Sequence, residues 1–282
     1  MDRGESCAEL LAGHFAAGRH LVVGLDPDVS RIPTSVAPGG SDAERVIEFN
    51  RAIVAATTDV AAAYKPNAAF YEALGEDGFY ALEETIATIR DRVPGAATIL
   101  DAKRADIGST NAGYVTAAFD RLGADAITVH PYLGGEALAP FLARAEKLVF
   151  VLARTSNLGA GELQDLEDRD GVPLYRHVAR AVAGEWNDAG NCGLVVGATY
   201  PEEMGAIRAD VPATMPILVP GVGAQAGDVG AVVAANRAAR SDAYLIAASR
   251  SILYASAGED FADAARAAAE SLDAEIRTAA SA

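Results

Sequence analysis

Eight short apolar runs, each followed by a longer amphipathic stretch, constrain this chain more than any other feature. They lie at residues 20–26, 61–66, 97–103, 125–130, 148–154, 193–199, 216–222 and 243–249. Most are rich in Val, Ile and Leu without polar alternation, the pattern of parallel strands buried on both faces. Helical periodicity fills the intervals, at roughly 70–92, 109–122, 135–146, 172–189, 201–209, 227–239 and 258–279. An earlier helix is announced by Ser41-Asp-Ala-Glu44, a capping-box pattern ahead of Val46, Ile47, Ile53 and Val54. Eight strand–helix units without a Pro/Ser-rich linker favour one closed (β/α)8 barrel, a TIM barrel, spanning residues 1–282 as a single domain. A doubly wound open sheet stays open as the alternative, because periodicity does not report strand order. The longest loop, about 155–171, follows the fifth strand and is a candidate lid.

Composition narrows the function. A hydrophobic fraction of 51% supplies a sizeable core without metal or disulfide staples. The two cysteines, Cys7 and Cys192, have no metal-ligand spacing and fit structural thiols in a reducing cytoplasm. The first residues read as a helix and not an export signal, and no apolar run is long enough to span a bilayer. A net charge of −16 disfavours nucleic acid and anionic membrane as partners. Only three lysines occur, Lys65, Lys103 and Lys147, among 23 basic residues. Arg therefore serves as the generic cation, and a retained Lys draws notice because it is a compact charge able to donate a proton. Lys147 also has a structural reading, as a cation at a helix end.

Catalytic groups of a barrel sit at the C-terminal ends of its strands, and those ends are polar here. They carry Asp26-Pro-Asp28, Lys65-Pro-Asn67, Asp101-Ala-Lys103-Arg104, His130, Arg154-Thr-Ser156-Asn157 and Ser249-Arg250. Any one of these is better read as a solvated strand end; several in register are not. Alternation places Asp101 and Lys103 on one side of the third strand. Asp106 and Ile107 follow at the turn, and Ser109-Thr110 is the expected helix cap. Two carboxylates flanking an ammonium, with Lys65 on the neighbouring strand, form an array that costs desolvation and more often serves chemistry than stability. Pro220-Gly-Val-Gly223-Ala-Gln225 after the seventh strand, with Arg250 after the eighth, occupies the usual phosphate position of such barrels.

Asp101-x-Lys103-x-x-Asp106-Ile107, Pro220-Gly-Val-Gly-Ala-Gln225 and Ser249-Arg250-Ser-Ile resemble the signature segments of the orotidine 5′-phosphate decarboxylase family. Gly24-Leu-Asp26-Pro, Lys65-Pro-Asn-Ala-Ala-Phe70 and Leu152-Ala-Arg-Thr-Ser156-Asn are further matches, closest to the longer bacterial and archaeal subgroup. The resemblance implies conversion of orotidine 5′-phosphate to uridine 5′-phosphate, with no cofactor or metal, in a cytoplasmic homodimer with shared sites. It implies that Asp26 binds ribose hydroxyls and that Lys65 holds a sugar hydroxyl and the charge network. Asp101 would face the substrate carboxylate and Lys103 would protonate C6. Asp106 and Ile107 would reach the other subunit's site, Ser156 the pyrimidine, and Gln225 and Arg250 the phosphate. Thr110 and Pro220 complete the substrate-binding set. Ser249 departs from the Gly of shorter members, and Thr155 competes with Ser156 for the pyrimidine. Rival readings are a metal-dependent sugar-phosphate decarboxylase or aldolase on the same barrel, and a non-catalytic phosphate-binding barrel.

Overall fold

A computed structural model describes residues 4–222 and 227–282. Eight parallel strands close into a barrel in sequence order: β1 (Leu21–Leu25), β2 (Ala63–Pro66), β3 (Ala97–Arg104), β4 (Ala126–Val129), β5 (Leu148–Arg154), β6 (Cys192–Val196), β7 (Ile217–Pro220) and β8 (Tyr244–Ala248). β1 pairs with β8, which removes both sheet edges and excludes the doubly wound alternative.

Side-chain alternation divides the core. Val22, Ile99, Phe150, Leu218 and Leu245 fill the interior, while Val23, Leu25, Ile127, Val149 and Ile246 face the helices. Gly193 makes room for the interior Phe150, whose ring lies 2.7 Å from where a Cβ would stand. The first helix, α1 (Cys7–Ala16), sends Cys7 and Leu11 into the interior cluster and so packs against the barrel core. Its start is fixed by a reciprocal cap between Ser6 and Glu9. The same device, Ser41 with Glu44, opens α2 (Asp42–Ala56), which buries Val46, Ile47, Ile53 and Val54 as its spacing predicts.

Two helices differ from expectation. The stretch 70–92 is broken into α3 (Ala68–Glu72) and α4 (Glu76–Arg92). Gly75 adopts φ +69° at the break, and Gly78 lies against the Tyr71 carbonyl, where a Cβ would clash. The stretch 109–122 is α5 (Gly108–Val115) continued by a π-helical segment, Thr116–Arg121. Residue Ile107 caps α5 without a side-chain hydrogen bond, so Ser109 and Thr110 lie inside the helix and do not cap it.

The remaining helices are α6 (Gly134–Leu142), α7 (Gly161–Gln164), α8 (Leu174–Ala183), α9 (Pro201–Asp210), α10 (Val229–Ala238), α11 (Arg250–Leu253) and α12 (Phe261–Ser281). Lys147 is not at a helix end: it lies just before β5 and donates to the Ala124 carbonyl at 2.8 Å. Among the described residues no helix is long and apolar enough to cross a membrane.

Candidate active site

The C-terminal mouth of the barrel holds a cavity of about 530 Å³. Asp26, Lys65, Asp101, Lys103, Ser156, Pro220 and Arg250 all line it, drawn from the ends of six strands. Its centre is Asp101. Lys65 Nζ donates to Asp101 Oδ2 at 2.8 Å, Lys103 Nζ to Oδ1 at 2.6 Å, and Thr128 Oγ1 to Oδ1 at 2.9 Å. Lys65 is 6% exposed and Asp101 9%, whereas the Lys103 side chain is half exposed to the cavity mouth.

Charge decides the protonation of this array. Burial opposes ionisation of Asp101, but the ammonium groups of Lys65 and Lys103 outweigh it and hold the carboxyl well below the usual range. Burial likewise disfavours the Lys65 ammonium, and the Asp101 and Asp26 carboxylates reverse that, raising its pKa. Both groups are charged at neutral pH.

The backbone of β3 is shaped to make this contact. Leu100 pairs with Ile127 and Arg104 with Val129, so four residues of β3 advance over the space of two on β4. Asp101, Ala102 and Lys103 occupy this bulge, and Lys103 has φ +46°, a left-handed conformation unusual for a side-chain-bearing residue. The Lys103 N–H, without a regular ladder partner, donates to Thr128 Oγ1 at 3.0 Å. Arg104 leaves the cavity for the outer face, where it pairs with Glu72.

Other strand ends fill out the site. Asp26 follows β1, and its buried Oδ1 has no hydrogen-bond partner among the described residues. Gly24 allows β1 to approach Ser249, whose Cβ lies 2.7 Å from where a glycine Cβ would stand. Ser249 Oγ is also buried and without a partner among the described residues, and Arg250 begins α11 at the cavity edge. Gln225 lies outside the described residues.

Thr155 and Ser156 both line the cavity. The Thr155 hydroxyl donates to Asn157 Oδ1 at 2.6 Å and accepts from Gln164 Nε2 at 2.8 Å, while Gln164 Oε1 takes the Thr155 N–H at 2.9 Å. Gln164, on α7, thus fastens the long loop to the end of β5. Arg154 points to that loop and not to the cavity: it reaches Asp165 at 3.0 Å and lies 3.8 Å from the Tyr200 ring centre.

Asp106, Ile107 and Thr110 do not line the cavity of their own chain. The turn is held by buried Asn111, which accepts the Asp106 N–H at 2.8 Å and donates to the Asp106 and Ala137 carbonyls, each at 2.6 Å. Ile107 is left 63% exposed. His130 follows β4 outside the cavity lining.

Sequence reasoning missed Thr128, Gln164 and Asn111. Thr128 is the one polar residue within the apolar fourth strand, and that was its signal. Gln164 lies in a polar loop and Asn111 in a helix, with nothing local to mark them.

A closed parallel barrel with a buried charge array at its C-terminal mouth defines a (β/α)8 enzyme architecture. The family model described as Orotidine 5'-phosphate decarboxylase / HUMPS family matches residues 19–267. A protein of Herpetosiphon aurantiacus named orotidine 5'-phosphate decarboxylase is 51% identical over 250 residues, covering 89% of this chain and 90% of that one. A protein of the same name from Cellvibrio japonicus is 50% identical over 263 residues, covering 92% and 93%. The solved structure of Leishmania donovani OMP decarboxylase superposes with a TM-score of 0.83 at 40% identity, covering 98% of this chain and 99% of that one. The chain belongs to the orotidine 5'-phosphate decarboxylase / HUMPS family.

Proposed function

We propose that this enzyme decarboxylates orotidine 5′-phosphate to uridine 5′-phosphate without a metal or organic cofactor. The observation that carries the proposal is the Lys65–Asp101–Lys103 array facing the cavity. The shared name of the relatives with about half their residues identical supports the same reaction.

The bond from C6 to the carboxylate carbon breaks, CO₂ leaves, and the electron pair stays on C6. Lys103 donates one ammonium hydrogen to Asp101 and has two left to face the cavity. Its fixed charge stabilises the developing carbanion, and its proton then closes the C6–H bond. General acid catalysis contributes roughly 10²–10⁴-fold, so preorganised charge is the larger contribution. Asp26 Oδ1, buried without a partner among the described residues, is ready to accept from a ribose hydroxyl. Arg250 at the cavity edge takes the phosphate together with Gln225, and Pro220 lines the route between phosphate and base. Binding energy from that remote phosphate offsets desolvation at the reacting carbon. Ser156, on the cavity wall, is the pyrimidine contact.

The active unit is a cytoplasmic homodimer. Phe70 after β2, Ile107 after β3, and Tyr132 with Leu133 after β4 are exposed apolar residues following three adjacent strands, which supports a dimer face there. Through it Asp106, Ile107 and Thr110 complete the partner's site.

A metal-dependent sugar-phosphate reaction is the second reading. It is disfavoured because both Asp101 oxygens already accept from ammonium groups, which a divalent cation would have to displace. The test is loss of orotidine 5′-phosphate absorbance in the presence of EDTA. Sustained turnover is the expected result, and strict dependence on added metal overturns the proposal.

A further inference from the structure

Resting on the decarboxylase reading, we propose that Thr128 is a positioning residue that sets the geometry between Asp101 and Lys103. Thr128 lies in the middle of β4, 1% exposed, with its neighbours Ile127 and Val129 packed toward the helices. Its hydroxyl has one hydrogen and two lone pairs. The hydrogen goes to Asp101 Oδ1 at 2.9 Å, and a lone pair accepts the Lys103 N–H at 3.0 Å. The same hydroxyl therefore holds the carboxylate that receives the Lys103 ammonium and the backbone from which that ammonium extends.

The contact falls where the sheet itself provides least. Between Leu100 and Arg104 the ladder with β4 is interrupted, and Lys103 is in a left-handed conformation. Such a conformation persists only when its surroundings over-determine it. The Thr128 hydroxyl replaces the missing ladder acceptor at that residue. Asp101 Oδ1 also receives Lys103 Nζ at 2.6 Å, so carboxylate, ammonium and backbone form a closed ring through Thr128. Without the hydroxyl the Lys103 N–H is unpaired, the peptide is free to rotate, and the ammonium moves relative to C6. Lys65 is unaffected, because it binds the other oxygen, Oδ2. Arg250 and Asp26 are also untouched, so ligand binding at the phosphate and ribose ends is retained.

The discriminating variants are Thr128→Val, which keeps shape and branching without the hydroxyl, and Thr128→Ser, which keeps the hydroxyl. Turnover of orotidine 5′-phosphate and binding of uridine 5′-phosphate are measured for each beside wild type. Thr128→Val is expected to lower kcat about 10–100-fold, the scale of a sub-ångström to ångström misplacement, with product affinity within about threefold of wild type. Thr128→Ser is expected to recover most of kcat. Thr128→Ala, which also lacks the hydroxyl, gives the same reading should Thr128→Val not accumulate as folded protein. An unchanged kcat in the hydroxyl-free variants, parallel loss of kcat and product affinity, or a Ser variant as slow as the Val variant overturns the inference. A wild-type protein that does not turn over orotidine 5′-phosphate overturns the decarboxylase reading and this inference with it.

Discussion

Replacing Asp101 with Asn preserves the shape of the side chain and removes the one charge shared by Lys65 and Lys103. The two lysines respond differently. The Lys103 side chain is half exposed, so water compensates much of its loss. Lys65 is enclosed, with Asp26 as the other carboxylate acting on it. Breaking a buried pair by deleting one partner costs about 3–5 kcal/mol, which lowers the urea midpoint of a chain this size by about 1–2 M.

The pH dependence identifies the cause. In the wild type, Asp101 is depressed, so its contribution is present above the unfolded value and is lost only as pH falls through the folded one. Lys65 is raised, so its contribution is full below the unfolded value and is lost as pH rises through the folded one. Between those limits the array's contribution is flat. In Asp101→Asn the largest influence left on Lys65 is burial, which lowers its pKa below the unfolded value. The unfolded chain then holds more protons over that interval, and stability rises with pH. The deficit of the variant, measured by urea unfolding, should therefore shrink between about pH 7 and pH 10, where lysine begins to titrate. A deficit constant over that range, or a variant more stable than wild type, refutes the view that Asp101 holds Lys65 charged.

Lys103→Ala should lower kcat by at least the ~10²–10⁴-fold of a lost general acid while changing uridine 5′-phosphate affinity far less; equal losses argue against a role in the chemical step. Mixing Lys103→Ala and Asp106→Ala subunits should restore about a quarter of wild-type activity, since half the dimers then carry one intact site. No recovery despite demonstrated subunit exchange counts against shared sites. Arg250→Ala should weaken uridine 5′-phosphate binding about 10–100-fold, the worth of a hydrogen bond to a charged group, and leave uridine binding unchanged. Calorimetric titration with both ligands separates a phosphate contact from a general loss of the site.

Most of the strands were legible because burial on both faces leaves them as runs rich in Val, Ile and Leu, a signal independent of neighbours; β2 (Ala63–Pro66) contains none of these residues. Closure was legible only by counting units, and the β1–β8 pairing supplies what counting could not. The break at Leu74-Gly75 was obscured because apolar spacing continues across it: Tyr71 and Leu82 are both buried although they lie on different helices. At the site, Asp101 and Lys103 were placed together by strand alternation, yet the structure joins them through a bulge and a left-handed Lys103. The expectation reached the right neighbours by an incomplete route. Thr128 escaped because its importance lies in what it touches across the fold, at a sequence separation of 25 residues; Asn111 joins the Asp106 turn to Ala137, 26 residues on. A lone polar residue in an apolar strand marks Thr128 without naming its partners.

Two lysines on one carboxylate have a consequence for the proposed proton transfer. Before transfer the array of Lys65, Asp101 and Lys103 carries two positive charges and one negative. When Lys103 yields its proton to C6, Lys65 and Asp101 remain as a hydrogen-bonded neutral pair at 2.8 Å, so the Asp101 carboxylate keeps a charged partner. With Lys103 as the only partner, the same step would strand a buried carboxylate, a costly state in a low-dielectric interior. The enclosed lysine thus allows the exposed one to change charge. This also accounts for lysine at both positions in a chain whose basic residues are otherwise almost all arginine. Lys103 must release a proton, which a guanidinium resists. Lys65 must place a point charge on a single oxygen, Oδ2, while Oδ1 stays open to Lys103 and Thr128; a bidentate guanidinium would occupy both.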